Sequence, residues 1–162
     1  MKRKALFLAV LLTTVVITSC SVKKLTYSSA IAKENCEEIM DYLSNNDEEE
    51  LKKMFCKRTA EGGLFEIEIE KAMEFFQGEV VSHDSLIGTS CAGGHSARGG
   101  KIMKLDIRPH ISNIETDADK TYDIRFYSYL IYEEDKDVVG ISQLTITDMD
   151  TDEEFTVGKL IK

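Results

Sequence analysis

One proline and ten glycines in 162 residues, with no repeat of either, exclude a collagen-like or low-complexity chain. Positive charge is scarce. Twenty Lys and Arg stand against 29 Asp and Glu, a formal charge of −9. So acidic a chain repels phosphate backbones, which argues against nucleic-acid binding. No C-x-x-C occurs, and Cys91 with His95 lacks a second ligand pair nearby, so a zinc site has little support. G-x-S-x-G, H-E-x-x-H, a Walker loop and a Ser–His–Asp order are all missing. The length excludes a multi-domain enzyme. No cofactor and no metal are expected.

What is present is an ordinary globular composition, 43% apolar and 30% charged, preceded by an address. Lys2, Arg3 and Lys4 form a positive n-region, and Ala5 to Thr18 an apolar h-region. The run is short for a bilayer-spanning helix, which takes about 20 apolar residues. It ends in Ile17-Thr18-Ser19-Cys20, which resembles the lipobox of bacterial lipoproteins. Small residues before the cut suit a narrow peptidase groove, and the Cys20 thiol is the nucleophile that takes up a diacylglycerol. Each acyl CH₂ buried in lipid contributes about 0.8 kcal/mol, so two or three chains hold firmly. The expectation is a signal peptide over 1–19, a lipidated Cys20 with a polar tether over 20–29, and one domain over 30–162, at the extracytoplasmic face of the cell membrane. Removing 1–19 takes three basic and no acidic residues, leaving 17 basic against 29 acidic. The tether carries Lys23 and Lys24, within reach of anionic lipid.

Besides Cys20, the cysteines are Cys36, Cys56 and Cys91. Cys36 and Cys56 read either as small buried apolar residues or as a disulfide; both readings stay open.

Ala32, Cys36, Ile39, Met40 and Leu43 fall at helical spacing, with Lys33, Glu34, Glu37, Glu38 and Asp41 facing outward, which predicts a helix over 30–43. A capping box, Asn46 with Glu49 or Asp47 with Glu50, opens a second helix running to about Arg58. Phe65, Ile69, Met73 and Phe76 mark a third, stopping at Gly78; this stripe reads as core rather than as a ligand box. From there the period changes to two. Strands are predicted over 79–87, 101–114, 122–132, 138–147 and 155–161, with Pro109 marking an edge or a bulge because it cannot donate to a ladder. The short connections suit antiparallel hairpins and leave no room for crossover helices. The expected fold is α+β: three N-terminal helices packed on a curved antiparallel sheet of four to six strands.

Helices followed by a bent sheet resemble the nuclear transport factor 2-like fold, within the cystatin-like group. More narrowly, Phe75-Phe76-Gln77-Gly78-Glu79-Val80-Val81-Ser82, Tyr122-Asp123-Ile124-Arg125-Phe126-Tyr127 and Val139-Gly140-Ile141 resemble segments of bacterial lipoproteins of domain of unknown function 5104. The resemblance covers most of the chain after Ala30. It implies a cone-shaped domain and a lipid anchor, and it brings no catalytic residues.

A cone of this kind often holds a pocket between sheet and helices. The candidate groups are His83, Asp84, His110, Arg125, Tyr127 and Tyr129. His83 and Asp84 are strand neighbours and point to opposite faces, which weakens an acid–base dyad. Gly93 to Lys101 is glycine-rich and carries Arg98 and Lys101 in an acidic chain; it reads as a mobile hairpin loop or as a contact loop for an anionic partner. Asp148, Asp150 and Asp152 alternate like a calcium loop, but Glu153 and Lys159 stand where Gly and Glu are required, so an acidic turn is the reading.

The function expected is a non-enzymatic, membrane-tethered module that binds a ligand or partner, with Tyr127, Tyr129, His83, Arg98 and Lys101 as ligand-binding candidates. The alternatives are a structural module that forms a homodimer through the sheet face holding Tyr127 and Tyr129, or an enzyme using acid–base chemistry in the cone.

Overall fold

The computed structural model of the chain describes residues 28–85 and 93–161. The signal peptide, Cys20, the tether up to 27, Cys91 and the end of the first predicted strand lie outside the described residues.

Where three helices are predicted, four form among the described residues. The first, α1, covers 28–44. Ala32, Cys36, Ile39, Met40 and Leu43 are all buried, as their spacing requires. The second predicted helix is two: α2, Glu48–Lys53, and α3, Lys57–Ala60. Asp47 accepts the Glu50 amide at 3.2 Å and caps α2, so of the two proposed caps it is Asp47 that serves. Between α2 and α3 the chain is drawn out against the sheet. The Cys56 amide donates to the Ile141 carbonyl at 2.8 Å, and the Ile141 amide donates to the Met54 carbonyl at 2.9 Å. Those bonds use groups that a continuous helix would pair internally, so the helix breaks there. The last helix, α4, covers Phe65–Phe75, with Phe65, Ile69, Met73 and Phe76 buried.

Among the described residues the sheet has seven strands, one more than the upper expectation: β1 Val80–Ser82, β2 His95–Arg98, β3 Lys101–Ile107, β4 His110–Thr116, β5 Thr121–Tyr132, β6 Gly140–Asp148 and β7 Glu153–Gly158. All strand pairings are antiparallel. The predicted strand over 101–114 is interrupted at Arg108-Pro109, and its halves β3 and β4 run in line along β5, with Pro109 supplying a carbonyl to the Phe126 amide at 3.2 Å. The extra strand, β2, lies in the glycine-rich stretch. Gly99 and Gly100, at φ +57° and +80°, close a β2–β3 hairpin through the two positive-φ positions that a tight turn needs.

Five of the six pairings contain a register shift. Each such irregularity bends and twists its strand, so the sheet is curved and does not close. Its inner face carries Tyr122, Ile124, Phe126, Leu144, Ile146 and Val157 into one core with the helices. The register shift at Tyr127–Ser128 leaves four consecutive buried residues, 126–129. Tyr127 and Tyr129 therefore belong to a second, smaller cluster with Val138, Tyr132 and Ile161. Among the described residues, no helix is long and apolar enough to cross a membrane.

Candidate functional site

Two hollows adjoin where α1 and α2 face the ends of β5 and β6. The first, about 370 Å³, is walled by Ile31, Asn35, Glu38 and Tyr42 of α1 and by Glu50, Lys53 and Met54 of α2 and its exit. Ser128, Tyr129 and Leu130 of β5, with Val139 and Gly140, form its other wall, and the hollow is open to solvent. The α1 residues recur every three or four positions, a stripe beside the core stripe, so one helix serves both the core and the rim. Glu38, expected to face outward, is half-buried here, as is Tyr42 one turn on.

The electrostatics of this rim are one-sided. Glu50 is tied to Lys53 in an ion pair. Burial, and then the neighbouring Glu34 carboxylate, push the Glu38 carboxyl above its usual range. Burial and then the surrounding carboxylates, Glu38 first, push the Tyr42 hydroxyl up as well. Around these groups Ile31, Met54, Leu130 and Val139 supply apolar surface.

The second hollow, about 600 Å³ and open, shares Leu130 and Val139 with the first and adds Lys101, Ile102, Ile131, Glu133 and Lys136. Glu133 lies 2.9 Å from both Lys101 Nζ and Lys136 Nζ. Those bonds, Lys101 first, lower its carboxyl to about 2. The paired hollows thus run from an acidic end, over an apolar middle, to an end where two lysines flank one carboxylate.

The residues singled out in the sequence are divided among different places. Lys101 lines the second hollow, and Tyr129 borders the first. Arg98 is exposed beside Lys101 across the β2–β3 turn. His83 is exposed on the far side of α1, near Glu37, Met40 and Asp41. Its Nδ1 lies 2.7 Å from the Asp84 carbonyl, while the Asp84 carboxylate accepts from Asn113 Nδ2 at 2.8 Å, so the two side chains do not form a dyad.

Tyr127 and Tyr129 are 7% and 1% exposed. Their rings meet edge to face at 5.1 Å, Arg108 lies over Tyr127 at 4.9 Å, and Lys104 lies over Tyr129 at 4.8 Å. The Tyr129 hydroxyl donates to the Ile161 carbonyl at 3.1 Å. Burial first, then Tyr129, raises the Tyr127 hydroxyl's pKa. These rings are packed by their own chain and offer little surface to a partner.

His110 is the other titratable candidate. Its Nε2 lies 2.9 Å from Asp123 Oδ2 and 3.4 Å from Ser112 Oγ. Both contacts use one nitrogen, whereas a relay needs the carboxylate and the hydroxyl on opposite ring nitrogens. Among the described residues no group of three or more His, Cys, Asp or Glu is placed to hold a metal ion.

Sequence reasoning missed Asn35, Glu38, Tyr42 and Lys136 as wall residues. The available signal was the second helical stripe, Ile31, Asn35, Glu38 and Tyr42, which mixes apolar, polar and acidic residues along one line.

The chain belongs to the family described as domain of unknown function (DUF5104), whose profile matches residues 38–151, more than half of its length. No curated protein matches it.

Proposed function

We propose that this chain is a lipid-anchored, non-enzymatic binding module at the extracytoplasmic face of a bacterial cell membrane. Its domain is a nuclear transport factor 2-like cone, with the paired hollows at the mouth as the ligand site. The supporting observation is the adjoining of those hollows at Leu130 and Val139, which lines a concave apolar surface with a few polar groups. That is the general character of small-molecule sites. The lipobox ending in Cys20 supports the anchor. The burial of Tyr127 and Tyr129 under their own chain weighs against assembly through that part of the sheet. The splitting of His83 from Asp84, and the single-nitrogen contacts of His110, weigh against an acid–base enzyme.

Native mass spectrometry on the full chain, purified from bacterial membranes, tests the reading. A small bound mass is expected on the lipidated protein and is lost in Val139→Trp, which fills the shared wall. No such mass, or one indifferent to Val139→Trp, would sink the binding site. For the anchor, Cys20→Ala abolishes fatty-acid labelling and membrane retention; unchanged labelling overturns it.

A further inference from the structure

We propose that the first hollow selects an organic cation, an ammonium group carried on an apolar body, with Glu38 as its counter-ion. The inference rests on the reading of this hollow as the ligand site and adds the chemistry of what enters it.

Glu38 carries the argument. It lines the hollow and is half-buried there. Among the described residues it has no ion-pair partner, and the neighbour that acts on its charge, Glu34, has the same sign. Half-burying an uncompensated carboxylate is unfavourable, and an incoming cation removes that cost.

The other charges on the rim do not supply the cation. Lys53 is committed to Glu50, so that pair contributes no net charge, and the hollow retains the one negative charge of Glu38. An anion is repelled by it. The Tyr42 hydroxyl and the Asn35 side-chain carbonyl add neutral acceptors on the same stripe of α1, which suits the several N–H donors of an ammonium. Its volume of about 370 Å³ is near the small end of ligand pockets, about 300–1,000 Å³. Ile31, Met54, Leu130 and Val139 offer apolar surface on which one side of such a body can pack.

Three probes with one body and three head groups decide the matter: 3-phenylpropylamine, 3-phenylpropanol and 3-phenylpropionate. Each is titrated into the full chain while the methyl resonances of Met54, Leu130 and Val139 are followed, which localises binding to the hollow. The amine is expected to bind about tenfold more tightly than the alcohol, and the carboxylate most weakly, as a part-buried charge-assisted contact requires. Glu38→Gln brings the amine down to the alcohol. Glu70→Gln, which removes an equal charge from the exposed face of α4, leaves the preference intact. An amine no tighter than the alcohol, or a preference that survives Glu38→Gln, overturns the cation inference and leaves the hollow as a site for neutral ligands. Methyl resonances that respond to none of the three overturn both the inference and the site.

Discussion

Gly140 lies against the backbone of Cys56. Its φ is +117°, and a Cβ at position 140 would come 2.9 Å from the Cys56 nitrogen and 3.1 Å from the Met54 carbonyl oxygen. Across this contact the segment between α2 and α3 joins the start of β6, and through it the helices are fixed to the sheet beside the first hollow. A side chain at 140 is strained twice, by backbone conformation and by the close approach.

Gly140→Ala is therefore expected to destabilise the fold by about 2–3 kcal/mol in urea unfolding. Gly99 also has a positive φ, +57°, but nothing lies within 4 Å of its would-be Cβ. Gly99→Asn, a residue that tolerates that conformation, costs less than about 1 kcal/mol. Equal costs at the two positions would show that the close approach to Cys56 contributes nothing.

The Tyr122 hydroxyl holds the end of α4. It donates to the Phe75 carbonyl at 3.1 Å and accepts the Gln77 amide at 3.1 Å, while its ring packs 4.6 Å from that of Phe76. Tyr122→Phe keeps the ring and strands two backbone groups, a loss of about 2 kcal/mol. Amide exchange at Gln77 should accelerate more than exchange in β6. A variant as stable as the wild type would mean that water replaces the hydroxyl.

Glu133 predicts a limb of acid sensitivity. Lys101 and then Lys136 hold its carboxyl near 2, below the ordinary 4.5. A depressed carboxyl contributes stability that is fully present above the unfolded value and is lost as pH falls through the folded one. The contribution of this group therefore declines between about 4.5 and 2 and is constant at neutral pH. Asp148, lowered chiefly by Lys120, acts with the same sign. A carbon-13 titration of the Glu133 carboxyl reads the effect directly. Lys101→Met should move its midpoint upward, toward the ordinary value. A wild-type midpoint already at 4.5 contradicts the bridge.

Cys36 and Cys56 are both buried, and Cys56 carries a free thiol, which decides against the Cys36–Cys56 disulfide that the sequence left open. Cys56 Sγ lies 3.3 Å from Thr59 Oγ1. Alkylation followed by peptide mapping should find the Cys56 thiol unmodified in the folded protein and reactive in denaturant. Recovery of a Cys36–Cys56 linked peptide from protein isolated under oxidising conditions would refute this.

Much of the helical core was legible because its signal is local. The stripe from Ala32 to Leu43 predicts a helix and its buried face, and the four-four-three spacing from Phe65 to Phe76 does the same for α4. Pro109 reads as an edge or a bulge for an equally local reason, the missing amide, although the predicted strand runs through it and the structure breaks it there into β3 and β4. The break between α2 and α3 was not legible. It depends on the bonds of Met54 and Cys56 to Ile141, more than eighty residues along the chain. Strand β2 was hidden for a related reason, since His95–Arg98 is exposed throughout and shows no apolar alternation.

The hollows divide in the same way. Lys101 stands out in the sequence by its charge in a glycine-rich stretch, whereas Glu38, being acidic, reads as outward-facing. Helical periodicity places Glu38 within one turn of Tyr42, but it does not reveal that α2 and the end of β5 rise on either side.

By itself, the sequence determined that helices come first and strands follow, the α+β class, the faces that α1 and α4 bury, and the lipobox expectation at Cys20. Each of these is written in neighbouring residues, through periodicity, caps and one proline. Tertiary structure alone decided that Tyr127 and Tyr129 pack beneath their own chain. It also decided that the helix breaks at Cys56, and that Glu38, at the edge of an apolar hollow, has no ion-pair partner among the described residues. Burial and pairing are properties of what lies across space, and no local pattern states what will face a side chain once the sheet has curved.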